Sequence, residues 1–312
     1  MESMQELIEK GQQYVMNTYA RFPYAFTKGK GVYLYDMDGK KYLDFVAGIA
    51  VNSLGYGNEA LISNLYAQMQ NVFHTSNLYW IEPQVKLAEA LVERSCADKV
   101  FFCNSGTEAT EAALKLARKY GSQVGGPEKC QIITMKNSFH GRTFGAITAT
   151  GQTKYQKGLG PMLPEIVYAE YNNIESVRTL ASREKTCGIL VEPVQGEGGV
   201  IPADPTFMQE LRKLCSELDI LMMVDEVQTG IGRTGTLFGY EHFGIEPDVI
   251  ALAKGLGGGM PIGAMMAKDF CASAFGPGDH AATFGGNFLS TTAGLTVLAE
   301  IDRMHLLVNA QK

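Results

Sequence analysis

Hydrophobic positions in the first third of the chain follow helical spacing. They predict helices over residues 1–22, 59–70 and 83–95, while alternation around Asp38-Gly39 predicts a β-hairpin over residues 31–45. The first of these helices has the pattern of an amphipathic packing element. The N-terminal part is therefore expected to contain a packing helix and a small antiparallel unit.

From residue 99 onward, short apolar runs alternate with amphipathic segments. The runs predict strands over residues 99–103, 131–135, 188–191, 221–224 and 249–252, and the segments predict helices over residues 109–120, 205–218 and 287–307. This alternation is typical of an α/β fold with a mainly parallel sheet. Such sheets bind ligands where their strands end, so polar residues directly after the strands are the candidate site residues.

Composition narrows the classes of partner. The chain has 312 residues, enough for one large or two ordinary domains, and a formal net charge of −6 without a basic run. That balance gives no electrostatic footprint for nucleic acid or acidic lipid, so a small-molecule partner is expected. Six scattered cysteines without a C-x-x-C pair, with no signal peptide or long apolar span, predict a reduced cytoplasmic protein. The five histidines lack metal-ligand spacing, so no metal site is expected.

Lys254 is the most informative single residue. It follows an apolar run and precedes a glycine-rich bend that ends at Gly259. Burial there would lower the pKa of the ammonium group and free an amine that attacks carbonyls. The alternative is an exposed lysine before a flexible loop. Asp225, followed by Glu226, ends another apolar strand and needs a cationic partner to stay charged. It could reach the same crevice, although a simple buried Asp–Lys pair is also possible.

Two further turns follow strands. Residues 104–108 lie between a strand and a helix, where backbone N–H groups bind phosphate, although Ser105 or Thr107 could simply cap the helix. Phe139, His140 and Arg142 follow the strand 131–135. The aromatic ring could stack on a planar cofactor and the arginine could hold a carboxylate. Equally, they could be a loop aromatic over the core and a surface arginine.

Other motifs carry weaker signals. Residues 230–235 match G-x-G-x-x-G, but a glycine-broken aromatic segment follows instead of a helix, so a nicotinamide or flavin site is discounted. Glu192 and Glu197 add two carboxylates after a strand. Thr283 precedes the last helix and is a capping device by default.

Six segments carry a resemblance to a known family: residues 105–109 (SGTEA), 137–142 (NSFHGR), 192–199 (EPVQGEGG), 224–228 (VDEVQ), 253–259 (AKGLGGG) and 283–287 (TFGGN). In this order they resemble the class III aminotransferases, which are fold type I enzymes that use pyridoxal 5'-phosphate (PLP). The resemblance implies an α/β fold with a mainly parallel, mixed central sheet and flanking helices. Residues 1–58 would belong to a small domain and residues 59–312 would form the large PLP-binding domain. The chain ends where relatives continue into a C-terminal small domain, so the small domain is expected to be incomplete.

The resemblance also assigns roles. Lys254 would bind the cofactor covalently and later carry the transferred proton, while Asp225 would keep the pyridine nitrogen protonated. Phe139 and Val227 would pack on the two ring faces, and Gln228 would contact the 3-hydroxyl. The phosphate would lie on Gly106 and Thr107, helped by Thr283 of a second subunit, which implies a homodimer with a shared site. The cofactor-binding residues so implied are Gly106, Thr107, Phe139, Asp225, Val227, Gln228, Lys254 and Thr283.

Substrate residues follow from the same resemblance. Arg142 would bind the α-carboxylate, and Glu197 would be a switch carboxylate that pairs with a distal arginine. Residues 74–79 are similar to the branch that acts on N2-acetylornithine, and Ile49 stands where ornithine-specific members carry a tyrosine. This implies transamination between N2-acetylornithine and 2-oxoglutarate, a step of arginine biosynthesis. Two alternatives stay open: another ω-aminotransferase of the class, acting on ornithine, 4-aminobutyrate, a diamine or succinyl-diaminopimelate, or a PLP-binding chain without full activity.

Overall fold

The computed structural model describes residues 2–312. Helix α1 (Met4–Tyr14) starts at Ser3, whose hydroxyl accepts the N–H of Glu6, and none of its residues is buried. The chain is extended at Val15, so the prediction of a helix through residue 22 is wrong beyond α1. A helix with no buried residue gains little stability from tertiary packing.

A small antiparallel sheet follows the N-terminal segment. It contains β1 (Phe26–Lys30), β2 (Tyr33–Asp36) and β3 (Lys41–Leu43) in that order. The predicted hairpin is confirmed as the β2–β3 pair, with Gly39 at φ +80° in its turn. Strand β1 was not predicted. After α2 (Ala47–Ala50), the predicted helices 59–70 and 83–95 are confirmed as α3 (Glu59–Met69) and α4 (Glu82–Val92).

Nine strands follow residue 98. In chain order they are β4 (Lys99–Cys103), β5 (Gln131–Met135), β6 (Ile166–Ala169), β7 (Thr186–Val191), β8 (Val194–Gln195), β9 (Ile201–Pro202), β10 (Leu221–Asp225), β11 (Val249–Leu252) and β12 (Gly263–Ala267). Seven of them form one sheet in the order β4-β12-β11-β10-β7-β5-β6, while β8 and β9 form a separate hairpin. Only β12 runs antiparallel to its neighbours in the large sheet, which confirms the predicted mainly parallel, mixed sheet.

Helices flank this sheet. They are α5 (Gly106–Gly125), α6 (Phe144–Ala149), α7 (Thr153–Gln156), α8 (Ile174–Arg178), α9 (Pro205–Leu218), α10 (Asp269–Ala272), α11 (Phe288–Arg303) and α12 (Leu306–Ala310). Every residue of β7, β10, β11 and β12 is buried, which explains why the three parallel strands β7, β10 and β11 appear as apolar runs in the sequence. Within residues 2–312, no helix combines the length and apolarity needed to cross a bilayer.

The start of α11 corrects one expectation. Asn287 caps this helix, because its side-chain oxygen accepts the N–H groups of Leu289 and Ser290. Thr283 therefore does not act as the cap. The predicted helix over residues 287–307 is confirmed to Arg303, and His305 at φ +52° separates it from α12.

Candidate active site

A cleft of about 580 Å³ lies where the carboxyl ends of several strands of the large sheet meet. Nine residues singled out from the sequence line it: Gly106, Thr107, Phe139, Arg142, Glu197, Asp225, Val227, Gln228 and Lys254. Thr283 does not line this cleft and is exposed. The strand-end motifs thus converge on one cavity, apart from the one that carries Thr283.

Asp225 lies at the end of β10 and is 5% exposed. One of its carboxylate oxygens accepts the N–H of Val227 at 2.9 Å, and the other lies 2.7 Å from Nδ1 of His140. In the described part of the chain, Lys254 forms no ion pair with any carboxylate. The alternative of a simple buried Asp–Lys pair is therefore wrong, and the partner of Asp225 is a histidine.

Lys254 lies directly after β11, at the start of a short 3-10 helix (Lys254–Gly257), with φ at +45°. Few residues other than glycine adopt such a conformation, and those that do are concentrated at functional sites. Lys254 is half-buried in the cleft, so the alternative of an exposed lysine is wrong. Burial lowers its pKa, although the nearby carboxylates of Asp225, Glu197 and Glu192 oppose that shift. The neutral, nucleophilic amine is thereby favoured.

Glu192 also lines the cleft, as do the acids Asp225 and Glu197. It is buried, and its Oε2 accepts the N–H of Phe139 at 3.2 Å. Burial raises the pKa of this carboxyl well above its ordinary value, and the charge of Asp225 raises it further. The protonated form of Glu192 is therefore favoured.

The first turn of α5 faces the cleft. The Ser105 hydroxyl accepts the N–H of Glu108 at 3.3 Å, which confirms the capping interpretation for Ser105. Within residues 2–312, however, the N–H groups of Gly106 and Thr107 have no hydrogen-bond partner. Two free amides at the start of a 20-residue helix form a favourable place for a phosphate group.

The side chain of Thr107 ties this turn to the next motif. Its hydroxyl oxygen accepts the N–H groups of Arg142 at 3.1 Å and of Thr143 at 3.2 Å. A side chain at Gly106 would lie 2.6 Å from Cγ1 of Val227, and one at Gly141 (φ +133°) would collide with the Thr107 hydroxyl. Glycine at both positions therefore keeps this corner of the cleft open.

Arg142 and Glu197 occupy the exposed rim of the cleft. Arg142 is a surface arginine, as the alternative interpretation stated, but it also lines the cleft. Glu197 lies in the turn between β8 and β9. No arginine within residues 2–312 forms an ion pair with it, so the structure supplies no partner for the predicted switch.

Three residues of this site received no role from the sequence patterns. His140 was part of a candidate motif, and Glu192 was noted only as a carboxylate. Tyr19 lies in the segment predicted as a packing helix, yet it lines the cleft. No local pattern could have placed Tyr19 there, because its position depends on the tertiary path of the chain and not on neighbouring residues in the sequence.

The glycine-rich segment 230–235 does not open a helix. Gly232 and Gly235 adopt φ of +87° and +89°, and a short 3-10 helix (Gly239–Phe243) follows, so the segment lacks the helix start that a dinucleotide-binding fingerprint needs. Glu226 accepts the N–H groups of Gly239 and Tyr240, and it does not line the cleft. In the part of the chain that the structure describes, no cluster of three or more His, Cys, Asp or Glu side chains could hold a metal ion.

The cleft has the features that PLP requires. The two free amides suit a phosphate, and the open corner at Gly106 leaves space for a flat ring. The lysine suits the aldehyde of the cofactor, and the aspartate beside His140 suits its ring nitrogen. A mixed seven-stranded sheet that brings these groups together at its strand ends defines a fold type I PLP-dependent enzyme. The family model for the class-III aminotransferases matches residues 14–312, so the chain belongs to this family.

Curated relatives share about half of their residues with the chain. The acetylornithine aminotransferase of Caldanaerobacter subterraneus is 53% identical over 306 residues, which is 98% of this chain and 77% of that protein. The acetylornithine aminotransferase of Gloeobacter violaceus is 54% identical over 301 residues, which is 96% of this chain and 75% of that protein.

Solved structures show the same fold at lower identity. The ornithine aminotransferase of Toxoplasma gondii superposes with a TM-score of 0.95 at 30% identity, covering 99% of this chain and 74% of that one. The acetylornithine aminotransferase of Elizabethkingia anophelis gives 0.87 at 29% identity, covering 99% of this chain and 75% of that one. Since both substrate classes share the fold, substrate assignment depends on sequence similarity and on the site.

Proposed function

We propose that this chain catalyses PLP-dependent transfer of the terminal amino group of N2-acetylornithine to 2-oxoglutarate. The products are N-acetylglutamate 5-semialdehyde and glutamate, and the reaction belongs to arginine biosynthesis. The observation that carries the proposal is the 53% identity, over 98% of the chain, to an acetylornithine aminotransferase. The cleft supports it, because it combines an amine of lowered pKa with an arginine that forms no ion pair within residues 2–312.

PLP, when bound, supplies an aldehyde that condenses with amines and a ring that withdraws electrons from the adjacent carbon. Lys254 would bind that aldehyde, and its lowered pKa suits its amine to remove and return a substrate proton. Asp225 would hold a proton on the ring nitrogen. His140 supports that role, because its hydrogen bond fixes the position of the Asp225 carboxyl group.

Other cleft residues hold the cofactor without exchanging protons. The free amides of Gly106 and Thr107 bind the phosphate group, where the partial positive charge of the helix start favours an anion. Phe139 and Val227 would pack against the two faces of the ring, and Gln228 would contact its hydroxyl group. All five residues line the cleft, which supports this assignment.

Arg142 binds the α-carboxylate of the amino donor, because its guanidinium group lines the cleft and is free to form a bidentate pair. Glu197 acts as the carboxylate that distinguishes the two half-reactions. Ile49, an exposed aliphatic residue, stands where ornithine-specific members have a tyrosine. The acetylated substrate has no free α-amine and therefore does not need the tyrosine that contacts that amine.

A homodimer with a shared active site is the second part of the proposal. Exposed apolar side chains lie around Thr283, with Leu78 87%, Trp80 92% and Phe284 60% exposed. The amide of Asn77 donates to the carbonyl of Gly285, which holds the segment that carries Leu78 and Trp80 beside the segment that carries Thr283 and Phe284. Exposed patches of this kind mark protein interfaces. A second copy seated there would bring Thr283 to the phosphate end of its partner's cleft.

Residues 1–58 are proposed to form part of a small domain and residues 59–312 the large PLP-binding domain. The separate sheet β1–β3, which shares no strand with the seven-stranded sheet, supports this division. A cytoplasmic location is also proposed, and the six free cysteines favour it because thiols persist in a reducing compartment.

The direct experiment compares kcat/KM for N2-acetylornithine and for free ornithine, with 2-oxoglutarate as the acceptor. A preference of at least about tenfold for the acetylated donor is expected, equivalent to about 1.4 kcal/mol. Equal or better turnover of free ornithine would assign the chain to another branch of the family.

Half-reactions separate a full transaminase from a chain that merely binds the cofactor. N2-acetylornithine should change the absorbance of the bound cofactor, and 2-oxoglutarate should restore it. A change that 2-oxoglutarate never reverses would show that only the first half-reaction is supported. No change with either compound would contradict the proposed activity altogether.

A further inference from the structure

Tyr155 connects the predicted substrate arginine to the predicted ring-stacking residue. It lies on α7, partly buried and outside the cleft lining. Cζ of Arg142 lies 4.1 Å from the centre of the Tyr155 ring and 5.4 Å from that of Phe139. The two rings meet edge to face, with centroids 5.7 Å apart and planes at 79°. The three side chains form one contiguous cluster at the rim of the cleft.

Stacking is the main constraint on the Arg142 guanidinium. Within residues 2–312 this group forms no hydrogen bond and no ion pair, and the hydroxyl of Tyr155 forms no hydrogen bond. An arginine stacked on a ring uses its face and keeps its N–H edges available for a carboxylate. A free arginine side chain, by contrast, must lose its rotational freedom when it binds. The ring of Tyr155 therefore restricts Arg142 before the substrate arrives.

We propose that Tyr155 is a positioning residue that orients Arg142 toward the substrate carboxylate and thereby determines the preference for carboxylate-bearing amines. The inference rests on the proposed function, because it takes Arg142 as the carboxylate-binding residue. It adds a residue outside the cleft that acts through Arg142. The contribution comes from preorganisation and from the cation–π contact, so it depends on the ring and not on the hydroxyl.

Binding of an unreactive ligand isolates this effect. N2-acetylnorvaline carries the acetyl and carboxylate groups of the substrate but lacks the terminal amine, and its Kd for the PLP-loaded chain can be measured by calorimetry. Tyr155→Leu should raise this Kd about two- to fivefold, the range of an exposed cation–π contact. Tyr155→Phe should match the wild type. Tyr155→Gln serves as a second ring-free variant should the leucine variant not fold.

Lys154 provides a matched control. Its Nζ lies 4.7 Å from the centre of the same ring, but Lys154 does not line the cleft. Lys154→Met should therefore leave the Kd within about twofold of the wild-type value. A larger effect than that of Tyr155→Leu would overturn the inference, because the ring would then serve Lys154 and not Arg142.

Kinetics distinguish positioning from a general structural role. In Tyr155→Leu, KM for N2-acetylornithine should rise while kcat stays near the wild-type value. KM for N-acetylputrescine, which has the same amine and no carboxylate, should not change. Equal losses for both donors, or a loss confined to kcat, would overturn the inference.

Arg142→Met separates this inference from the proposed function. If Arg142→Met weakens N2-acetylnorvaline and Tyr155→Leu does not, the inference alone is overturned. If neither variant weakens it, and the wild type does not distinguish N2-acetylornithine from N-acetylputrescine, Arg142 is not the carboxylate-binding residue. That result overturns the proposed role of Arg142 together with the inference.

Discussion

Gly106 offers a sharp test of how the cofactor site is built. A Cβ atom at this position would lie 2.6 Å from Cγ1 and 3.0 Å from Cγ2 of Val227, well inside ordinary carbon–carbon contact. Gly106→Ala therefore forces Val227 to move. Because Val227 is proposed to pack on one face of the ring, that movement narrows the space for the cofactor. The N–H of residue 106, one of the two proposed phosphate ligands, remains in place.

The overlap between the added methyl group and Val227 determines how strongly Gly106→Ala should weaken PLP binding. Adding one methyl group to a well-packed site costs about 1–3 kcal/mol. If this cost falls on the cofactor-bound state, Gly106→Ala should weaken PLP binding by about 5- to 150-fold. Truncating the Val227 side chain should reduce this cost. In a Val227→Ala background, the same substitution should cost less than about half as much, which a double-mutant cycle reports as a coupling energy.

The assay is titration of each purified variant with PLP, followed by calorimetry or by cofactor absorbance. Gly11→Ala in α1 is the control, because nothing lies within 4 Å of a Cβ atom there. It should leave PLP affinity unchanged. Wild-type affinity in Gly106→Ala, or strictly additive costs in the double variant, would refute the explanation from the Val227 contact.

Three further predictions follow from charge and exposure. Burial raises the pKa of Glu226 from 4.5 to about 7, so the stabilising contribution of this side chain is fully present below pH 4.5 and is lost as the pH rises through 7. Relative to Glu226→Gln, the wild type should lose about 3 kcal/mol of unfolding free energy between those pH values, measured by urea titration. A difference between the two proteins that does not depend on pH would contradict this. His140→Ala removes a hydrogen bond to the Asp225 carboxylate and should lower kcat/KM about 10- to 100-fold, while His140→Asn should recover part of it; an unchanged kcat/KM would contradict the supporting role. Trp80→Glu should weaken self-association by at least about 30-fold in sedimentation experiments, whereas undiminished association would place the interface elsewhere.

The large sheet and most of the site could be predicted from the sequence because both depend on local patterns. Buried parallel strands appear as apolar runs, and functional side chains follow those runs directly, as Asp225 follows β10. Strand β12 was missed, although it is fully buried. It follows the turn in which Gly258 and Gly259 adopt φ of +56° and +120°, and no periodicity in the sequence signals that the chain reverses there to enter the sheet antiparallel.

Relations across the fold were less accessible to sequence reasoning. The pairing of His140 with Asp225 joins residues 85 positions apart, and nothing local distinguishes it from a pairing with Lys254. The approach of Tyr19 to the cleft is of the same kind. Thr283 does not line the cleft of its own chain, and its expected role in a second subunit stays a prediction.

Lys254 is proposed to be the amine that binds the cofactor. A direct test adds equimolar PLP to the chain, reduces the mixture with borohydride, digests it, and locates the added cofactor mass by mass spectrometry. The modification should lie on the peptide that contains Lys254, and Lys254→Ala should carry no comparable modification at any single position. A wild-type chain modified mainly at another lysine, with Lys254 unmodified, would contradict the account.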